Sequence, residues 1–245
     1  MRMPFRKSIL LIGLFIFLIT PIFAGPPFIT DDPEPVPYKH WEFYISSVDF
    51  LQTDTKSGTL PHFEVNYGVI PNVQLHLQIP INYLLEENKF DYGYGNTEFG
   101  VKIRFLNLKE SKIQMGVFPV FQIPTVRNEN FSTNHVQSFL PVWVQKSWEK
   151  LITYGGVGYC FNPGNNNRNW EFAGWEAQYA FTENLTFGGE VFYKTATESK
   201  SKDYLGFNLG GSINFSEQFH FIFSAGQSIT GEKGTMAYCG LLWTI

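Results

Sequence analysis

The chain is poor in charge: 16% of its 245 residues are Asp, Glu, Lys or Arg, and 22 acids against 18 bases leave a formal net charge of −4. Binding to nucleic acid calls for a basic stripe, and none is present, so no nucleic-acid partner is expected. Cysteine is scarcer still. Cys160 and Cys239 are the only two, too few for a disulfide framework or a thiolate metal centre. They fall on opposite faces of distant strands, which predicts two free thiols. The five histidines are scattered, without a His-Glu-x-x-His run or a Cys/His cluster at ligand spacing, so no metal is expected. A Gly-x-Ser-x-Gly elbow is missing too, since Gly210-Gly211-Ser212-Ile213-Asn214 lacks the final glycine. No catalytic residue and no cofactor are expected.

Beyond residue 24 the chain has no apolar stretch near the roughly 20 residues that a helix needs to cross a membrane. The first 24 residues read differently. Arg2, Arg6 and Lys7 open them, Ile9 to Ile19 is apolar, and Thr20-Pro21-Ile22-Phe23-Ala24 closes them. This is the pattern of a secretory signal peptide, too short in its apolar core for a retained anchor.

What the chain has in plenty is aromatic rings, at 18% of residues with 25 Phe. Many rings without long apolar runs suit strands that face lipid on one side only. Val73 to Leu84 is the clearest: Val73, Leu75, Leu77, Ile79, Ile81 and Tyr83 alternate with Gln74, His76, Gln78, Pro80 and Asn82. Such a period of two means that opposite faces meet opposite surroundings. Twelve segments of this kind run from Trp41 to Ile245. Polar connectors at Gln52–Gly58, Glu86–Gly95, Thr125–Gln137, Asn162–Asn169, Thr195–Asp203 and Thr230–Gly234 alternate with short turns such as Ile70-Pro71-Asn72 and Thr182-Glu183-Asn184. Tight turns on one rim and longer loops on the other predict an all-β fold: a closed antiparallel transmembrane β-barrel of outer-membrane type. Aromatic positions such as Trp41, Trp148 and Trp243 on the short-turn rim, and Tyr83, Phe99 and Tyr193 near the loop rim, collect at the heights of two membrane interfaces. One strand is irregular, since keeping Val48 and Phe50 outward requires a bulge near Ser46-Ser47. The domain plan is therefore a leader (1–24), a proline-rich segment (25–38) and a barrel (39–245).

The alternation leaves a polar inward set. Pairing across the Thr182-Glu183-Asn184 turn sets Glu176 opposite Glu190, both inward, and like charges facing across strands are destabilising. Lys102 and Arg104 are the expected partners, reaching across the lumen. With Glu98 and Lys194 these residues form a predicted charge network that sets selectivity. The segment 25–38 carries five prolines and the acids Asp31, Asp32 and Glu34. It is stiff and without strand pairing, and it is expected to fold into the lumen as a plug, its three acids meeting inward cations, rather than hang as a periplasmic tail. Inward Tyr44, Trp143 and Tyr154 are candidates to stack on a ring-shaped solute.

The run Gly25-Pro26-Pro27-Phe28-Ile29-Thr30-Asp31-Asp32-Pro33-Glu34-Pro35-Val36-Pro37-Tyr38-Lys39-His40-Trp41-Glu42, with Gly93-Tyr94-Gly95 and Glu98-Phe99-Gly100-Val101-Lys102-Ile103-Arg104-Phe105, resembles the outer-membrane transporter family known as the MetA-pathway of phenol degradation. The likeness implies an outer-membrane barrel and uptake of aromatic compounds. Ile245 departs from the terminal aromatic common in such barrels, while Leu241 and Trp243 keep the alternation that barrel-assembly machinery reads. The expectation is a monomeric channel in the outer membrane of a Gram-negative-type bacterium, contacting lipid outside and passing small solutes inside. Two other classes compete: a barrel acting structurally or through its loops, and an outer-membrane hydrolase, which would need an outward Ser and His near the loop rim.

Overall fold

The computed structural model describes residues 26–245 apart from 88, 127 and 129; the leader expected over 1–24 lies outside the described residues. The strands are β1 (Trp41–Leu51), β2 (Thr55–Ile70), β3 (Val73–Glu86), β4 (Lys89–Tyr94), β5 (Thr97–Leu108), β6 (Ile113–Val117), β7 (Val120–Ile123), β8 (Gln137–Ser147), β9 (Leu151–Phe161), β10 (Trp170–Ala180), β11 (Leu185–Lys194), β12 (Tyr204–Asn214), β13 (Phe219–Thr230) and β14 (Thr235–Thr244). Each pairs antiparallel with its neighbours, and β1 closes on β14 in unbroken register from Glu42↔Thr244 to Leu51↔Thr235. Closure joins the first and last strands of the wall, which is what lets strands cross a bilayer; among the described strands β4 is paired on one side alone, with β3.

Fourteen strands make twelve staves. β4 and β5 both pair with β3 on either side of Gly95-Asn96. β6 and β7 share the neighbours β5 and β8 on either side of Phe118-Pro119. Proline cannot donate to a ladder, so Pro119 marks a natural break. The alternation survives it, with Phe118 and Val120 buried and Phe121 exposed. In β3, Leu77 and Ile79 face outward while Gln74, His76 and Gln78 are buried. That inversion of the soluble-protein pattern is what a lipid-facing wall requires. At the short-turn rim Trp41, Trp148, Phe181, Phe215 and Trp243 are exposed, at the height where amphipathic rings favour the headgroup boundary. The turn there between β2 and β3 places Asn72 at φ 67°, a left-handed conformation that Asn tolerates well.

Three expectations about the wall are corrected. β1 has no extra residue: Tyr44, Ser46 and Val48 are buried in even alternation, and Phe50 packs with the buried clusters inside. The register shift opposite Ser47 belongs to β2, where Leu60 and Pro61 stand against that one residue. The supposed connector Glu86–Gly95 is mostly strand, because β3 runs on to pair with β4 from Ile81↔Tyr94 to Glu86↔Lys89. Likewise β2 begins at Thr55, inside the expected Gln52–Gly58 loop. The cysteines are free, Cys160 buried and Cys239 exposed, as their strand faces predict.

Candidate functional site: the lumen and the segment inside it

The inward set is not uniformly polar. At the loop end, Phe139, Trp170, Phe172, Phe192 and Met236 form a buried apolar cluster that continues down to Phe118, Val120 and Trp143. Toward the short-turn end the inward positions are Glu64, His76, Glu98, Lys102, Glu176 and Glu190. Trp143 is the one expected inward; the others escape a sequence reading because most of their stretches set no polar inward residue against an apolar outward one, and in β10 the polar Glu171 is the exposed neighbour of Trp170 and Phe172. Ser138 to Val144 reads Ser-Phe-Leu-Pro-Val-Trp-Val, and contrast between faces is the only signal that alternation offers.

The proline-rich segment lies between the two halves. Tyr38 bridges to Gly68, and Lys39 donates its backbone N–H to the Gly68 carbonyl at 2.7 Å, at the foot of β1. From there the chain runs inward, burying Val36, Pro33, Asp31, Thr30 and Phe28. A peptide enclosed without a sheet partner must still satisfy its backbone groups. Five prolines remove five donors beforehand, and wall side chains take several of the rest. Val36 N–H donates to Gln74 Oε1 at 2.9 Å; Ile29 and Thr30 donate to the two Glu190 oxygens at 2.9 and 2.7 Å. Ser224 donates its hydroxyl to the Pro27 carbonyl. The wall is also shaped for the segment. A Cβ on Gly174 would stand 2.2 Å from Thr30 Oγ1, and one on Gly116 would meet Pro33 at 3.0 Å.

This arrangement decides between the two expected sets of charge contacts, in favour of the segment's acids. Lys102 and Arg104 do not reach Glu176 or Glu190. Lys102 Nζ lies 3.0 Å from Asp31 and 3.7 Å from Asp32, over the Phe118 ring at 5.1 Å. Arg104 donates to Asn72 and Gln114 and lies 3.5 Å from Glu34, which also accepts from Gln114 and Gln145. The acids on the segment thus sit nearer to the wall cations than the carboxylates across the barrel do. Burial pushes the Asp31 carboxyl up to about 6, with Lys102 pulling against it.

Glu176 does stand directly opposite Glu190, and both are buried. The clash is handled by separate hydrogen bonds rather than by a cation. Glu190 accepts the two segment amides and Asn208 Nδ2 at 2.5 Å, while Gln178 donates to Glu176 at 2.6 Å and to the Tyr154 hydroxyl at 2.9 Å. Glu98 faces His76, whose Nε2 is 3.3 Å away; the other ring nitrogen lies 2.8 Å from Asn66 and 3.5 Å from Glu64. Lys194 is elsewhere, at the loop end with its ammonium 5.4 Å from the centre of the Trp170 ring. Of the three candidate stacking rings, all inward, Trp143 is 0% exposed and packs edge-on against Phe172. Tyr44 donates to Glu42 at 2.9 Å. His62, buried beside Thr59, was missed as an inward residue although its neighbour Phe63 points outward.

Above the segment, the apolar cluster encloses a cavity of about 100 Å³. Ile29 of the segment lines it from inside, and Gln52, Thr197, Ser201 and Glu232 line it from the loops.

The family model described as "Putative MetA-pathway of phenol degradation" matches residues 45–238, most of the barrel. The chain belongs to this family. Among solved structures, this MetA-pathway family member is similar to the COG4313 outer membrane channel from Pseudomonas putida F1, with TM-score 0.75 and 11% identity over 87% of this chain and 98% of that one. It is also similar to the NanC porin (TM-score 0.58, 8% identity) and to the KdgM porin in complex with disordered oligogalacturonate (0.56, 10%), each over 82% of this chain and 98% of the other. At such identities the likeness establishes the fold, that of an outer-membrane barrel, and these neighbours are channels and porins rather than enzymes. No curated protein matches the chain.

Proposed function

We propose that this protein is a monomeric outer-membrane channel of a Gram-negative-type bacterium, admitting small apolar or aromatic solutes passively. In this reading residues 26–38 are a plug, and the charged half of the lumen is the selectivity region that holds it. The observation that carries the reading is the stacking of two unlike compartments on one axis. An apolar cavity opens toward the loops, and its inner end is a peptide held by side-chain contacts rather than by a strand ladder. Such contacts can be exchanged without breaking the wall. Family membership supports passage of aromatic compounds, and lipid and barrel-assembly machinery are the partners that a wall of this kind requires.

Planar-bilayer recording of the full chain beside a variant lacking Pro26 to Pro35 tests it. The variant is expected to conduct several-fold more. Equal currents would reject the plug. Silence from both would reject the channel and favour a closed barrel acting structurally or through its loops, a reading that the filled lumen also suits.

A further inference from the structure

The loop-end cavity holds one feature that apolar uptake does not need. Lys194, the last residue of β11, is on the inward face, paired in register with Phe172 and Tyr204, and lines the cavity with Trp170 and Phe192. Its ammonium lies over the Trp170 ring. It takes part in none of the ion pairs found among the described residues. The other two wall cations discussed above each face an acid of the segment. Further charge on this cavity is carried by loop residues, Lys202, Glu198 and Glu232; Glu198 has its carboxyl raised by burial and by Glu232.

A cation set among aromatic rings, over a π-face and in none of the ion pairs among the described residues, keeps its ammonium donors available in a setting where a charge-assisted hydrogen bond is stronger than in water. We propose that Lys194 makes this cavity a binding site for small aromatic acids in their anionic form, the ring packing against Phe172 and Phe192 and the carboxylate meeting the ammonium. The inference rests on the channel reading and narrows its substrate from apolar rings in general to ring-bearing monoanions.

Calorimetric titration of the detergent-folded barrel, with a micelle blank, tests the site without requiring transport. Benzoate and its uncharged counterpart benzyl alcohol serve as probes. Benzoate is expected to bind at least tenfold more tightly. Lys194→Met should remove that preference while changing benzyl alcohol affinity less than twofold, and Lys194→Arg should retain it. Equal affinity for the two probes in the unaltered protein, or a preference that survives Lys194→Met, overturns the proposal. Should Lys194→Met fail to fold by heat-modified gel migration, Lys194→Gln takes its place under the same criteria. Benzoate and benzyl alcohol flux into liposomes, measured in parallel, separates the two readings. Flux of both without a binding preference sinks only the anion site, and a preference without flux of either sinks only the channel.

Discussion

The two ends of the lumen treat the same kind of position, an inward side chain on a closed barrel, in opposite ways. At the short-turn end the wall presents Lys102, Arg104, Glu190 and Gln74, and each has a partner on the segment: Asp31, Glu34, the amides of Ile29 and Thr30, and that of Val36. At the loop end the wall presents Phe139, Trp170, Phe172 and Phe192, and the segment offers them Ile29. A polar wall that already holds its own peptide has little left for a visitor, whereas an apolar wall with a cavity does. In the proposed reading, the difference separates the element that closes the barrel from the element that receives a solute.

The largest effect should come from Lys102→Met. Removing one partner of a buried ion pair costs about 3–5 kcal/mol because the other charge stays buried, and here Asp31 would be left without its ammonium. Undocking of the segment is the expected result, seen as raised conductance, while benzyl alcohol affinity at the loop end stays within twofold. A matching loss at both ends would erase the distinction between them.

How far the sequence carries depends on contrast. Where a strand sets Leu and Ile against Gln and His, as in Val73 to Leu84, face and register both follow, and the Glu176–Glu190 pairing was reachable from one turn. Where both faces are apolar, alternation is silent, so Trp143 alone of the aromatic half of the lumen was legible, while Phe139 and Phe192 were not. The same assumption, that greasy means outward, placed a bulge in β1 that Val48 and Phe50 do not need. For Lys102 and Arg104 the sequence offered two sets of partners, Glu176 and Glu190 across the lumen and the acids of the segment, and could not rank them. Those acids sit some 70 residues away in a segment with no periodic pattern at all.

The next effect is one of pH. Asp31 rises from 3.8 to about 6 on burial, so docking takes up a proton between those values. This group's contribution to docking is complete below about 4 and is lost as pH rises through 6. Closed time in single-channel recordings should therefore fall across that window, and Asp31→Asn should flatten the response. A flat profile in the unaltered protein would remove Asp31 from the docking site.

The smallest effects separate two residues that look equivalent. Glu190→Gln weakens the charge-assisted bonds from Ile29 and Thr30 and should loosen docking by about 1–3 kcal/mol. Glu176→Gln removes no hydrogen bond to the segment and relieves a cross-strand repulsion worth about 0.2–1 kcal/mol, so the barrel should melt slightly later with conductance unchanged. Identical behaviour of the two variants would mean that the pair acts as one charge, and the division of roles fails.

The hold of Gly68 on Tyr38 and Lys39 has a kinetic meaning. If the segment is the proposed plug, it is fastened within ten residues of its seat and never diffuses away, and short tethers keep their cargo at millimolar local concentration. Reclosure is then a first-order event, indifferent to how many copies the membrane carries. A solute that tries to sit where the peptide sits must outcompete that standing concentration, whereas one that pauses higher up, among the rings, faces no such rival.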